Sequence, residues 1–567
     1  MFSPESRLIS ATDDWYGEHA GKWMYTAARA VNRAGNEHLR SLLLETADYL
    51  VTTQEKDGYL GTYSPDRRIT DKDYKLFSRS WDVWNLSYMV LGLLETYKYF
   101  PDESYFASAK KIGELLLQVF GPEKRNITEF GTREGISATI ILDPLAELYR
   151  ATGDQRYLDC ATDVIQHMEE KQGLQLISGM LEKRDLFAIG DGKAYQLCWN
   201  LTAVAKLYLM TGNEDYFKAC ENAWTNIKTF HLTATGGPWG GIGGISAECF
   251  NRAGFWSPFG FCETCTIMSW VQFNREMFRI TGEAKYAQEI EKSAYNALIG
   301  AQYPNGIDWC YHSFENGRRH IARFQACCPS SGAMALEELS PLIYSLKGEG
   351  ISCNIYTKSE TSVKLSGSSQ IRIIQETEYP FNGEIEISIL PESKSKFPLY
   401  LRIPDWADRI EISVNGQSLE TNNIKQGDYF TIDRTWEQGD QVKIYLPLDL
   451  KIIYQNEDSN VPKEDSAPIS RMQWYSLNRG PLVYSVNGLI GGKERERIIT
   501  LPEGKPETYI VPVQGTQGIK GQAFELRLPG QQPLLFMPYF EAGGRMPGSW
   551  RLTWLQNKVE SPILEEW

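Results

Sequence analysis

Two hydrophobic periods divide the chain. Through about residue 345, apolar side chains recur at helical spacing, as at Leu39, Leu43, Ala47 and Leu50, the stripe of helices that bury one face. A turn recurs within this region: AVNRAGNEHL at 30–39, YKYFPDESYF at 97–106, LYRATGDQRYL at 148–158, LYLMTGNEDYF at 207–217 and MFRITGEAKYA at 277–287. Each copy ends a helix on an aromatic or apolar residue, stops it with Gly or Pro, and opens the next helix with an acidic or amide side chain. The copies stand about 50–70 residues apart, room for two helices and a loop. A further helix is predicted at AMALEELSPLIYSL, 333–346, which brings the total to about six helical hairpins. Six hairpins can close into an (α/α)6 toroid whose inner helices line a central pocket. An open solenoid or an irregular bundle is the alternative.

Beyond about residue 350 the period drops to two. SVKLSG, IRIIQETE, GEIEISILP, FPLYLRIP, RIEISVNG, YFTIDRTW and QVKIYLPL alternate and end in turn residues, which predicts an antiparallel β-sandwich. The polar stretch QNEDSNVPKEDSAP at 455–468 predicts a loop, and GPLVYSVNG, ETYIVPV, AFELRLPG and PLLFMPYF follow as further strands. The expected domains are a helical barrel at 1–347, a β-sandwich at 348–452, and at 453–567 a second sandwich or an extension of the first. The β half holds no set of residues that forms a catalytic constellation, so its expected role is structural.

Composition narrows the class of function. Apolar residues make up 42% and charged residues 23% of the 567, an ordinary globular balance. Aromatics reach 12%, with 16 Trp and 30 Tyr, flat faces that suit sugar rings as well as cores. A formal charge of −14 without a basic run argues against nucleic acid and anionic membranes as partners. No stretch of 18 apolar residues occurs, so no membrane span is expected. The opening MFSPESRLISATDDW lacks a basic segment followed by an apolar one, so no signal peptide is expected. With cysteines read as reduced, the expected compartment is the cytoplasm. Homo-oligomer formation is left open.

Chemistry concentrates in one segment. Six of the ten cysteines fall between Cys249 and Cys328, a clustering unlike a disulfide framework. Cys262-Glu263-Thr264-Cys265 stands at the start of a predicted helix, and so does Ala326-Cys327-Cys328-Pro329. A helix N-terminus favours a thiolate through its dipole and free amides. Glu263, Cys265, Cys327 and Cys328 would make one oxygen and three sulfur donors, a set zinc accepts, although the spacing is not that of a zinc finger. Buried reduced cysteines that meet by chance are the alternative. A candidate proton donor is Glu248, in the glycine-rich GGIGGISAECF at 240–250.

At these residues the sequence resembles glycoside hydrolase family 127, the β-L-arabinofuranosidase family, and the wider group formerly called domain of unknown function 1680. The resemblance runs through GEHAGKW (17–23), QEKDGYLGTY (54–63), WDVWNLSYMVLGLLETY (81–97), GKAYQLCWNLTAVAKLY (192–208), CETC (262–265), DWCYHSFENGRR (308–319) and CCPSS (327–331), then LYLRIPDWA (399–407) and SLNRGPLVYS (476–485). It implies an (α/α)6 barrel followed by β-sandwich modules, and Zn2+ held by Glu263, Cys265, Cys327 and Cys328. It also implies Cys327 as nucleophile of a retaining exo-glycosidase, Glu248 as acid/base, and Tyr311 as a substrate contact. The substrate implied is an oligosaccharide or glycoconjugate that releases β-L-arabinofuranose or a related pentose.

The chain departs from the family in its histidines. It has six: His19, His38, His167, His231, His312 and His320. Segments where the family places pocket histidines read NLSYMVLGLL, GTREGISATII and KAYQLCWNLT, and Arg133, Glu134 and Tyr195 are candidates for part of that space. The departure leaves the sugar open. Two other classes stay in view: a polysaccharide lyase or sugar epimerase on the same toroid, and a carbohydrate-binding protein with a structural zinc. The scarcity of histidine counts against the lyase and the epimerase.

Overall fold

A computed structural model describes residues 1–9, 15–70, 81–130, 134–241, 248–322, 326–366, 370–421, 424–458, 471–487, 498–514, 518–543 and 550–560. Five helical hairpins follow in order: α1 (Glu18–Ala34) with α2 (Glu37–Thr52), α3 (Asp82–Tyr99) with α4 (Glu103–Phe120), α5 (Leu142–Thr152) with α6 (Gln155–Met168), α7 (Ala194–Thr211) with α8 (Glu214–Phe230), and α9 (Thr264–Thr281) with α10 (Ala284–Lys292). A sixth inner helix, α11 (Cys328–Glu337), completes the set.

The recurring turn does what its residues dictate. Gly153, Gly212 and Gly282 end their helices in the left-handed region, at φ of 69°, 67° and 64°, where only glycine is unstrained. Asp154 and Asn213 then cap the following helix by accepting from the amides of Arg156 and Asp215. The predicted helix at 333–346 is shorter than expected. It ends at Glu337, a single 3-10 turn at Ser340–Leu342 follows, and Tyr344–Lys347 is a strand. Pro341 brings no amide and disfavours helical backbone before it.

The inner helices close a ring: α1 packs on α3, α3 on α5, α5 on α7, α7 on α9, α9 on α11, and α11 back on α1. This is the (α/α)6 toroid; closure excludes the solenoid. The main apolar core fills the space between inner and outer helices, with Leu43, Leu86, Met89, Ile112, Leu145 and Phe273 fully buried. A second cluster lies inside the ring and includes Trp84, Tyr195, Trp199, Cys265 and Cys328. No helix among the described residues is long and apolar enough to cross a membrane.

Beyond the toroid, a four-stranded and a six-stranded sheet enclose one core of Ile371, Ile387, Leu399 and Trp436. All their pairings are antiparallel except that of Gly350–Cys353 with Ser395–Arg402. A nine-stranded sheet follows, with its own core of Tyr475, Tyr484, Phe524 and Phe536. This last sheet reaches back to the helical region. Arg551 and Leu552 pair with Gly317 and Asn316, and Trp554 Nε1 donates to Glu315 Oε2 at 2.9 Å. Residues 315–317 connect two strands of a small antiparallel sheet of β1 (Phe261–Glu263), β2 (Cys310–Phe314) and β3 (Arg319–Ile321), which the sequence pattern did not announce.

Candidate metal and catalytic centre

The N-terminal ends of the inner helices meet inside the ring. Glu263 ends β1 and stands at the N-cap of α9, with Cys265 in its first turn. Cys327 is the N-cap of α11 and Cys328 its first residue. The ligating atoms of Glu263, Cys265, Cys327 and Cys328 all lie within 4.8 Å of one another. The sulfur of Cys265 is 3.1 Å from that of Cys327 and 3.5 Å from that of Cys328, and the last two are 4.0 Å apart. Cys327 Sγ is 4.0 Å from Glu263 Oε1. A tetrahedral zinc with sulfur at about 2.3 Å would set its sulfurs about 3.8 Å apart, a value that the three observed separations bracket. Their chemistry suits a cation as well. In the protein alone, burial and then the charge of Glu248 push the Glu263 carboxyl up to about 8, the frustration of acidic donors packed without a counter-charge.

The three sulfurs are not equivalent. Cys265 and Cys328 are fully buried, and burial pushes both thiols well up. Cys327 is partly exposed. Hydrogen bonds from Cys265 and Cys328 hold it well below the ordinary thiol value against burial, and the Lys22 and Lys193 ammonium groups add to this. All ten cysteines are free thiols.

Glu248 faces this centre. Its two oxygens accept from Lys193 Nζ and Tyr311 OH. Burial pushes its carboxyl up, but Lys193 and Tyr311 outweigh that and hold it below the ordinary carboxylate value. The approach to Glu248 is tight. Gly240 bridges to both Phe250 and Phe261, and a Cβ there would lie 1.8 Å from the Cys249 carbonyl, so only glycine fits. Gly243 and Gly244 lie outside the described residues.

The structure thus brings together Glu248, Glu263, Cys265, Tyr311, Cys327 and Cys328. Tyr195 is close by but buried, its hydroxyl bonded to that of Tyr88. Glu134 is exposed at a positive φ of 59°, and Arg133 lies outside the described residues. Three histidines approach the centre. His19 Nδ1 is 3.2 Å from Ser330 Oγ. His312 stacks against His320 at 5.7 Å, and burial drives it down to about 4, so it is neutral.

Sequence reasoning missed the charged residues that surround the ligands. Lys193, just before α7, reaches Glu248 and, at 3.4 Å, Glu263. On α1, Lys22 and Glu18 pair at 3.1 Å with both side chains fully buried. Trp84 donates its indole N–H to Glu18, and burial pushes Glu18 up to about 7. Trp81 and Trp15 extend the aromatic wall, with ring centroids 5.3 Å from Trp84 to Trp81 and 6.1 Å from Trp81 to Trp15. Glu18 and Lys22 stand in GEHAGKW and Lys193 in GKAYQLCW, where nothing local marks these charges as buried. Lys22 and Lys193 bring positive charge to this cluster, each also paired with a glutamate, Glu18 and Glu248.

Two family models match the chain: the catalytic domain of GH127 β-L-arabinofuranosidases over residues 6–340 and their middle domain over residues 350–448. The chain is 24% identical over 509 residues to a non-reducing end β-L-arabinofuranosidase of Bifidobacterium longum subsp. longum, spanning 82% of this chain and 74% of that one. Among solved structures it is similar to a GH127 β-L-arabinofuranosidase from Geobacillus stearothermophilus T6, with a TM-score of 0.80 at 20% identity over 98% of this chain and 94% of the other. It is also similar to a second GH127 β-arabinofuranosidase, with a TM-score of 0.78 at 21% identity over 98% and 90%. At these identities the likeness to solved structures establishes the fold.

Proposed function

This chain belongs to the GH127 β-L-arabinofuranosidase family and is a glycoside hydrolase, and from that premise we propose that it is a retaining exo-glycosidase with Cys327 as nucleophile and Glu248 as acid/base. Its substrate is an oligosaccharide or glycoconjugate ending in β-L-arabinofuranose or a related pentose. One observation carries the reading: of the three sulfurs gathered beside Glu263, only that of Cys327 is partly exposed, and the Lys22 and Lys193 ammonium groups act on it.

Zinc held by Glu263, Cys265, Cys327 and Cys328 would keep sulfur deprotonated near neutral pH and fix its direction. In the first half-reaction the Cys327 sulfur attacks the anomeric carbon, and a carbon–sulfur bond forms as the glycosidic carbon–oxygen bond breaks. Glu248 gives its proton to the departing oxygen. In the second half, the Glu248 carboxylate takes a proton from water, whose oxygen displaces the sulfur. Two inversions at one carbon retain configuration. Tyr311 and Lys193 orient Glu248 and favour its ionised form, the form the second half needs. The first half draws on the protonated fraction, so kcat/KM rises toward acid pH. Trp15 and Trp81, partly exposed and backed by the buried Trp84, offer apolar faces to the sugar ring.

The test is direct. The purified protein is assayed for zinc by elemental analysis and offered p-nitrophenyl β-L-arabinofuranoside and related furanosides, with Cys327→Ser and Glu248→Gln as controls. The expected result is one zinc per chain, retention at the anomeric carbon by proton NMR, and loss of turnover in Cys327→Ser. Full activity in Cys327→Ser refutes the thiolate mechanism. Placement in the cytoplasm, with imported oligosaccharides as substrate, belongs to the same proposal; recovery of the protein from a secreted or periplasmic fraction overturns that part.

A further inference from the structure

We infer that Lys22 and Ser331 form a hydrogen-bonded relay that fixes Cys265 as the permanent sulfur ligand of the metal and so leaves Cys327 as the sulfur that reacts. The inference rests on the zinc–thiolate reading above and asks what separates three cysteines that could otherwise exchange roles.

Lys22 Nζ donates to Ser331 Oγ at 2.9 Å, both side chains being fully buried. An ammonium group has donors and no acceptor, so the serine oxygen accepts, and the single hydroxyl proton must go elsewhere. Cys265 Sγ lies 3.2 Å from the same oxygen. In the protein alone the Cys265 thiol donates to this oxygen; ligation to a metal removes that proton, and the Ser331 hydroxyl then turns to donate to the thiolate. Among the described residues Cys265 is the one of the three sulfurs that bonds a hydroxyl. Apart from the other thiols, Cys328 meets the Tyr311 carbonyl at 3.8 Å, and Cys327 meets the Glu263 carboxylate. Both are acceptors, which lend a thiolate nothing.

Lys22 is itself immobilised. Glu18 holds its charge at 3.1 Å, and its ammonium sits over the rings of Tyr88 and Tyr195 at 4.7 and 5.4 Å. Trp84 anchors Glu18 in turn. Lys22, held in place by these contacts, occupies one lone pair of the serine oxygen and so limits where the hydroxyl can turn. A hydrogen bond to a bound sulfur draws off electron density and fixes its orientation. It makes Cys265 a poorer nucleophile but a well-placed ligand. Ser331 and Lys22 are thus positioning residues that act through Cys265.

The experiment uses Co2+ in place of zinc, in the full chain and in Ser331→Ala, Ser331→Thr and Lys22→Met. Thiolate-to-cobalt charge-transfer absorption reads how strongly sulfur donates, and a chromogenic chelator reads metal affinity. The wild type is expected to show the band. Ser331→Ala is expected to shift it to longer wavelength and to lose about 10- to 100-fold in affinity, the usual effect of deleting a partner of a metal ligand. Ser331→Thr, which keeps the hydroxyl, restores both, and Lys22→Met moves the band in the same direction as Ser331→Ala. A wild-type protein with no metal and no band overturns the zinc–thiolate reading and this inference with it. A wild type with the band, and Ser331→Ala matching it in wavelength and affinity, overturns the relay alone.

Discussion

Glu338, one residue past the end of α11, ties the sixth inner helix into the ring, and removing its charge should loosen the helix that carries Cys327. Its carboxylate is fully buried and accepts from four groups. Arg29 of α1 donates at 2.7 Å, Arg275 of α9 also donates, Tyr25 of α1 donates at 2.7 Å and Gln272 of α9 at 2.9 Å. Both helices that flank α11 are thus bound to its C-terminal end, opposite the metal ligands. Glu338→Gln keeps the shape and removes the charge, which leaves two largely buried guanidinium groups facing an amide. Breaking a buried pair costs about 3–5 kcal/mol when the partner is left alone; Arg29 keeps Glu95 and Arg275 keeps Glu276, so the loss here is about 3 kcal/mol, roughly two powers of ten in the unfolding equilibrium. The sign of its pH dependence follows from the carboxyl itself. Burial raises it, Arg275 and Arg29 outweigh burial, and it titrates well below its ordinary 4.5. Its contribution is present above pH 4.5 and disappears as pH falls through the lowered value. The assay is urea unfolding followed by tryptophan fluorescence at pH 7.5 and pH 4, together with the rate of zinc loss to a chelator. Glu338→Gln is expected to unfold at lower urea and to release zinc faster at pH 7.5, with a smaller gap from wild type at pH 4. Equal urea midpoints at pH 7.5 would refute the claim that this network closes the ring.

Three further outcomes are expected. Lys193→Met removes the cation that holds Glu248 ionised, so the carboxyl rises by about 1–3 pH units, and the alkaline limb of kcat/KM moves to higher pH by the same amount; a limb that stays in place, or moves down, contradicts the role given to Lys193. Gly240→Ala places a methyl group against the Cys249 carbonyl and displaces Glu248; kcat should fall on the order of 10²-fold, as small misplacements do, with zinc content unchanged. Iodoacetamide on chelator-treated enzyme should modify Cys327 first, since the other nine cysteines are buried, and added zinc should protect it; peptide mass spectrometry reads both.

The helical region, the β region and the ligand motifs could all be read in the sequence because each is written locally. Helix periodicity, the Gly-Asp and Gly-Asn stops, and strand alternation act within a turn or two. Glu263 with Cys265, and Cys327 with Cys328, each share one short segment at a helix start, so each half of the metal set carries its own signature. The short sheet of β1, β2 and β3 was missed because strands of three to five residues leave no period to detect. What joins the two halves of the site is different in kind. Ser331 meets Lys22 across 309 residues, Lys193 meets Glu263 across 70, and Glu338 meets Arg29 across 309. In the sequence each of these is one charged or polar residue among many, and nothing local distinguishes it from a solvated one. Only ring closure decides that these particular charges are buried together, where low dielectric makes each of them matter. The sequence could therefore name the four residues of the candidate metal set, but what surrounds each sulfur depends on neighbours that the closed toroid alone brings into reach.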